Sequence, residues 1–145
     1  YALPVGLGGD MGVYYNKTLV KNANLPDPWT YVDKGTWSWN TFKSFAKSLT
    51  KDTDNDGQPN QFGFTCENPY LQFVLTNNAQ VIDMSSGHGK FAMDSANAKE
   101  ALNFVQGLYD EQIIPTPEQY AELGMQDAFH AMATGKAAMF TYGSG

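Results

Sequence analysis

What most constrains this chain is an exchange of two hydrophobic periods along its length. Short β-type runs alternate with longer stretches in which apolar residues return every third and fourth position. Met11 to Tyr15, Phe62 to Cys66, Val81 to Met84 and Ala137 to Tyr142 read as strands, as does Tyr1 to Val5. From the N-cap Ser38, Trp39, Phe42, Phe45, Ala46 and Leu49 fall on one helical face. Ser95 opens the clearest helix, with Ala98, Ala101, Leu102, Val105, Leu108 and Tyr109 as its stripe, and Pro115 and Pro117 end it. A further helix is predicted from Pro117 or Glu118 to Thr134, with Met125, Ala128, Phe129 and Met132 inward and Gly135 at C′. Asn16 caps a short helix over Lys17 to Asn22, Pro69 opens one to about Ala79, and Pro26, Pro28 and Gly35 mark a loop. The alternation predicts an α/β layer fold, with parallel neighbours wherever a helix intervenes. No internal repeat or low-complexity tract interrupts it.

Composition narrows the class. At 145 residues the chain is the size of one domain, and 42% apolar with 14% aromatic residues is too hydrophobic for disorder. No apolar run approaches the ~20 residues of a membrane span. The nine basic residues are all Lys against fifteen acids, a net charge of −6, which argues against nucleic acid as a partner. Without Arg there is no bidentate grip on phosphate or carboxylate, so a bound solute is expected to be neutral or cationic. The single Cys66 has no intrachain disulfide partner and reads as a small buried hydrophobe. The chain starts at Tyr1 without an initiator Met or a targeting segment, and its last β run stops in Gly143-Ser144-Gly145, a hinge-like turn. It reads as a piece of something longer.

Few residues carry chemistry. Asp52-x-Asp54-x-Asp56-Gly57 places alternate carboxylates in a tight turn, as a hard cation requires. The Gln58 backbone carbonyl and Asn60 would follow in the same loop, but position twelve is Gly63 where a calcium hand carries Glu. Two readings stay open, a structural Ca2+ on Asp52, Asp54, Asp56, Gln58 and Asn60 or a solvated acidic turn, and no cofactor is required otherwise. Gly6-Leu7-Gly8-Gly9-Asp10 permits close backbone approach yet lacks the Lys-Ser/Thr pair of a phosphate loop. His88 and His130 have no ligand partner at i+3 or i+4, and no Gly-x-Ser-x-Gly occurs. Carboxylate pairs for glycoside hydrolysis can be drawn from Asp10, Asp33, Glu67 or Asp83, as in any chain this acidic. The chain therefore reads as a binder and not an enzyme. Within Val13-Tyr14-Tyr15, alternation puts one ring inward and one outward. Trp29, Trp37, Tyr70 and Tyr142 fall in or beside loops. Ring faces with nearby acids suit neutral sugars, and half-buried packing is the alternative for each.

In order, Tyr1-Ala2-Leu3-Pro4, Val13-Tyr14-Tyr15-Asn16-Lys17, Ser38-Trp39 with Phe42, and Lys51-Asp52 with Gln61-Phe62-Gly63-Phe64 resemble extracellular solute-binding proteins of the sugar-binding ABC-importer class. The second half agrees: Ser95-x-x-Ala98-x-x-Ala101-Leu102, Ile114-Pro115 and Met132-x-x-Gly135-Lys136-Ala137-Ala138-Met139 look like that family's later helices and returning strand. The resemblance implies a type II, clamshell periplasmic-binding-protein fold. Residues 1–145 would form a single α/β lobe, part of the C-terminal lobe from the first hinge, with the N-terminal lobe and tail absent. It implies a carbohydrate held between lobes and delivered to a membrane ABC permease by a monomeric receptor. That receptor would be extracellular or periplasmic, or lipid-anchored to the cell surface. The ligand residues it implies are Gly9 and Asp10, then Glu67 and Tyr70, similar to the Glu-Pro-Tyr stretch of the maltose-binding class, and Tyr142, Gly143 and Ser144. Trp37 joins them as a loop ring. Family members often carry Trp after that last turn, where this chain has Gly145. The alternatives are a receptor for a peptide or polyamine, or a calcium-dependent structural or adhesion module.

Overall fold

The computed structural model describes residues 11–143; the Tyr1–Val5 run and the Gly6–Asp10 loop lie outside them. Strand β1 (Met11–Tyr15) runs into Asn16, whose side chain accepts from the amides of Thr18 and Leu19 and so starts α1 (Lys17–Asn22). β1 pairs antiparallel with β4 (Met139–Gly143), Met11 opposite Gly143 and Tyr15 opposite Met139. On its other side β4 meets the predicted strand at Phe62–Cys66, which is parallel to it but joined only by bridges at Phe62–Ala137 and Thr65–Phe140. Gly63 explains the interruption. A Cβ there would stand 1.8 Å from the Ala46 carbonyl oxygen, so this backbone is pressed onto a helix. Its amide donates to Thr50 Oγ1 and that of Phe64 to the Ile113 carbonyl, outside the ladder. The parallel expectation thus holds for this segment and fails for β1, which is antiparallel. β1 and β4 are joined by most of the chain, so no single crossover dictates their direction.

Helices cover both faces. Ser38 caps α3 (Trp39–Leu49) through the Thr41 amide, and Phe42, Phe45, Ala46 and Leu49 are buried. Asn68 caps α4 (Pro69–Thr76), which stops short of the expected Ala79 because Asn78 takes φ 53° and the Ala79 amide closes back onto Val74. Ser95 caps α5 (Ala96–Asp110), which packs on α4 and buries Ala98, Ala101, Val105 and Leu108. It ends before the prolines: Gln112 turns at φ 54° and the Ile113 amide returns to the Leu108 carbonyl. Together with Val20, Phe64 and Met139 these residues form the main core.

The other face is thinner, and here two expectations change. The helix predicted over 117–134 is two, α6 (Pro117–Glu122) and α7 (Ala128–Ala133). Gly124, at φ 63°, reverses the backbone, and Asp127 starts the second piece by accepting from the His130 amide. The break rotates Phe129 outward to 59% exposure, and Ala131 takes the inward position beside Phe62, Met125 and Ala137. The loop after Asn22 contains a short helix, α2 (Trp29–Asp33), whose first amide donates to Asp27 Oδ1. Val81–Met84 contributes only β2 (Ile82–Asp83), paired with β3 (Lys90–Phe91), which is too short to show a period. Helices, sheet and helices again make the α/β layering. Among the described residues no helix is long and apolar enough to cross a membrane.

Candidate functional site

Because Thr65 and Phe140 sit side by side in parallel, the segments that follow them leave the sheet at the same edge. In open α/β sheets the crevice beyond the carboxyl ends of the strands is where a ligand fits. A cleft of about 550 Å³ lies there. Thr65, Cys66, Glu67 and Pro69 form its sheet side, Tyr109 comes from the end of α5 and Ile114 from the segment after it, and Tyr120 with Met125–Ala128 closes the far wall. Its size falls within the range of small-molecule sites.

Each wall is set by local chemistry. Asn68 accepts from the Leu71 amide at 3.1 Å, which holds the turn that presents Glu67. The Tyr120 hydroxyl hydrogen-bonds Thr65 Oγ1, tying α6 to the sheet edge. Burial pushes the Tyr120 phenol above its ordinary value, and burial followed by the neighbouring Tyr70 does the same to Tyr109. Both are neutral hydroxyls at physiological pH. The rings of Tyr70 and Tyr109 lie 6.1 Å apart at 30°, adjoining facets of one aromatic surface. Asp127, which lines the cleft, accepts from the His130 amide through Oδ1 at 2.6 Å. Cys66 is buried, and burial pushes its thiol up to about 12, so it is no nucleophile at neutral pH. The cleft can hold an uncharged polar solute against rings.

Of the residues singled out from sequence, Glu67 lines this cleft and the Tyr70 ring adjoins it through Tyr109. Gly143 ends β4 opposite Met11. Tyr142, 51% exposed, faces a separate aromatic group with its ring 6.0 Å from Phe140 and 6.3 Å from Phe129. Trp37 stands apart from the cleft: its ring packs at 5.9 Å from Phe45 and 6.1 Å from Tyr31, and it borders a smaller apolar cavity with Val13 and Trp39. Gly9, Asp10 and Ser144 lie outside the described residues. In the acidic loop, carboxylate oxygens of Asp52, Asp54 and Asp56 gather within 4.8 Å of one another, all exposed. The loop also closes on itself. Asp52 accepts from the amides of Asn55 and Gly57, Asn60 Oδ1 from the Thr53 amide and hydroxyl, and Gln58 Oε1 from Gln112 Nε2. The Gly57 amide is the main reason that the Asp52 carboxyl titrates below its ordinary range.

Over residues 1–145 the sequence matches the family described as bacterial extracellular solute-binding protein. The chain belongs to that family. Among curated proteins none matches it. Two solved structures share the fold of this chain, that of the type II periplasmic binding proteins. One is an ABC substrate-binding protein, Lmo0181 from Listeria monocytogenes, in complex with cycloalternan, with a TM-score of 0.71 and 20% identity over 94% of this chain. The other is the maltose/maltodextrin-binding domain MalE from Bdellovibrio bacteriovorus bound to maltotriose, with a TM-score of 0.63 and 22% identity over 94% of this chain. In both cases the match covers 32% of the other chain, so this chain spans about a third of their length.

Sequence reasoning missed Tyr109, Tyr120 and Asp127. Tyr109 closes an apolar stripe and reads as core, and Asp127 reads as the middle of a helix. One signal for the latter was present: Asp at 127 three residues after Gly124 is a stop followed by an N-cap.

Proposed function

We propose that this chain is one α/β lobe, part of the C-terminal lobe, of a carbohydrate receptor that delivers its solute to an ABC importer in the membrane. The observation that carries the reading is the cleft at the carboxyl ends of two parallel segments. Its ring surfaces, Tyr109 and Tyr120, can take the C–H face of a pyranose, while Glu67 and Asp127 accept from its hydroxyls. Relatives of the same fold hold cycloalternan and maltotriose, which supports the same class of solute here. The sugar would be shared with a second lobe, and contacts to both would favour a closed state that the permease reads. Gly9, Asp10, Tyr70, Gly143 and Ser144 would join Glu67 on this lobe's side. The receptor acts as a monomer outside the cell, in the periplasm or anchored by lipid at the surface.

Binding needs no cofactor in this reading. A structural calcium ion on the Asp52–Asp56 loop would act on stability alone, read as a melting temperature raised by CaCl2 and restored by EDTA. The deciding experiment is a thermal-shift and calorimetric screen of the full-length protein against neutral oligosaccharides. A rise in melting temperature with one sugar class is expected. Silence toward every sugar, with a shift given by spermidine or a peptide, would replace the carbohydrate reading by a receptor for that solute.

A further inference from the structure

The cleft's lining has an unbalanced charge. Glu67 and Asp127 are carboxylates on opposite walls, and among the described residues that line the cleft none is Lys, Arg or His. Lysines on neighbouring elements are engaged elsewhere: Lys136 Nζ donates to the Leu123 carbonyl, and Lys43 and Lys47 both pair with Glu111. The same cleft is lined by two phenols that burial keeps protonated, Tyr109 and Tyr120. A hydroxyl entering this space can donate to either carboxylate, and a charge-assisted hydrogen bond is roughly twice as strong as a neutral one. An anionic substituent would lose water and meet two like charges with no cation to offset them.

Resting on the carbohydrate reading above, we infer that Tyr109 is the specificity-determining wall of this cleft, and that Glu67 and Asp127 restrict it to sugar units without an anionic substituent, excluding uronic acids and sugar phosphates. Tyr109 occupies the end of α5, where its ring adjoins that of Tyr70 and lines the cleft together with Tyr120. Tyr70 is not among the residues that line the cleft and Tyr109 is, so a sugar held there meets the Tyr109 ring in the same space as the two acids.

The test is calorimetry on the full-length protein with maltotriose, cellotriose and mannotriose, and with the C6-oxidised uronate of whichever binds. The uronate should bind at least about tenfold more weakly, the scale of a charge–charge repulsion at a partly solvated site. Glu67→Gln with Asp127→Asn should narrow that gap, and Asn at 127 still caps α7 because Asn caps a helix as well as Asp does. Tyr109→Ala should weaken the neutral sugar by about three- to tenfold, the range of one aromatic contact, whereas Tyr109→Phe should retain it. Equal affinity for the uronate, or undiminished affinity in Tyr109→Ala, overturns this inference and leaves the receptor reading intact. Binding of no neutral sugar overturns both. Should Tyr109→Ala fail to fold, the uronate comparison and the near-isosteric Gln/Asn variant decide alone.

Discussion

Gly63 and Cys66 lie three residues apart in one buried segment, and each does something a neighbour could not. At Gly63 the helix backbone is so close that any side chain collides with the Ala46 carbonyl. Gly63→Ala should therefore cost about 3 kcal/mol or prevent folding, at the upper end of overpacking costs, seen as a fall in the urea midpoint. Cys66 faces the opposite constraint. Its pKa is raised by burial to about 12, so the protonated thiol belongs to the folded state. The stability this represents is complete below the unfolded value of 9.0 and is lost as pH rises toward 12. A thiol reagent at pH 8 should leave Cys66 unlabelled in the native chain and modify it in urea. Asp52 works in the other direction: the Gly57 amide lowers its pKa, so its contribution is present above the ordinary carboxylate value and disappears as pH falls through the folded one. Asp52→Asn should flatten the acid side of the melting-temperature profile.

Among the elements, those set by contacts across three residues were legible and those set by distant partners were not. Asn16, Ser38, Asn68 and Ser95 each cap their own helix with a side chain that reaches two or three residues ahead. Such contacts are written in adjacent letters. The Phe62–Cys66 strand was visible as a run of apolar residues, yet its ladder is interrupted because the amides of Gly63 and Phe64 bond instead to Thr50 and Ile113, from segments distant in the chain. The pair α6 and α7 is the sharpest case, since the apolar stripe continued across a break that only Gly124 and Asp127 mark. Asp127→Ala should lower stability by about 1 kcal/mol through the lost cap, and Asp127→Asn should not, as read by chemical denaturation. If both variants were equally stable, the second helix would be held by packing alone.

Across the whole molecule, three layers enclose a core on one face and a lighter one on the other, and the cleft opens where parallel segments end. On the proposed receptor reading, a chain spanning about a third of the two related structures, 32%, would carry only its own side of a shared site. The isolated chain should melt cooperatively yet bind neutral sugar much more weakly than the full-length receptor, because one wall leaves the solute half in water. Small-angle scattering of the full-length protein should show compaction with sugar; an unchanged radius would count against closure. By itself the sequence determined the caps at Asn16, Ser38 and Ser95, the apolar faces of α3 and α5, the α/β class and the family, because these depend on periods and on side chains acting within a turn. Only the tertiary structure decided that Glu67, Tyr109, Tyr120 and Asp127 share one cleft and that Trp37 packs elsewhere. Those residues come from a strand end, a helix end and a helix break far apart in the chain, and nothing but the packing of the layers brings them to one place.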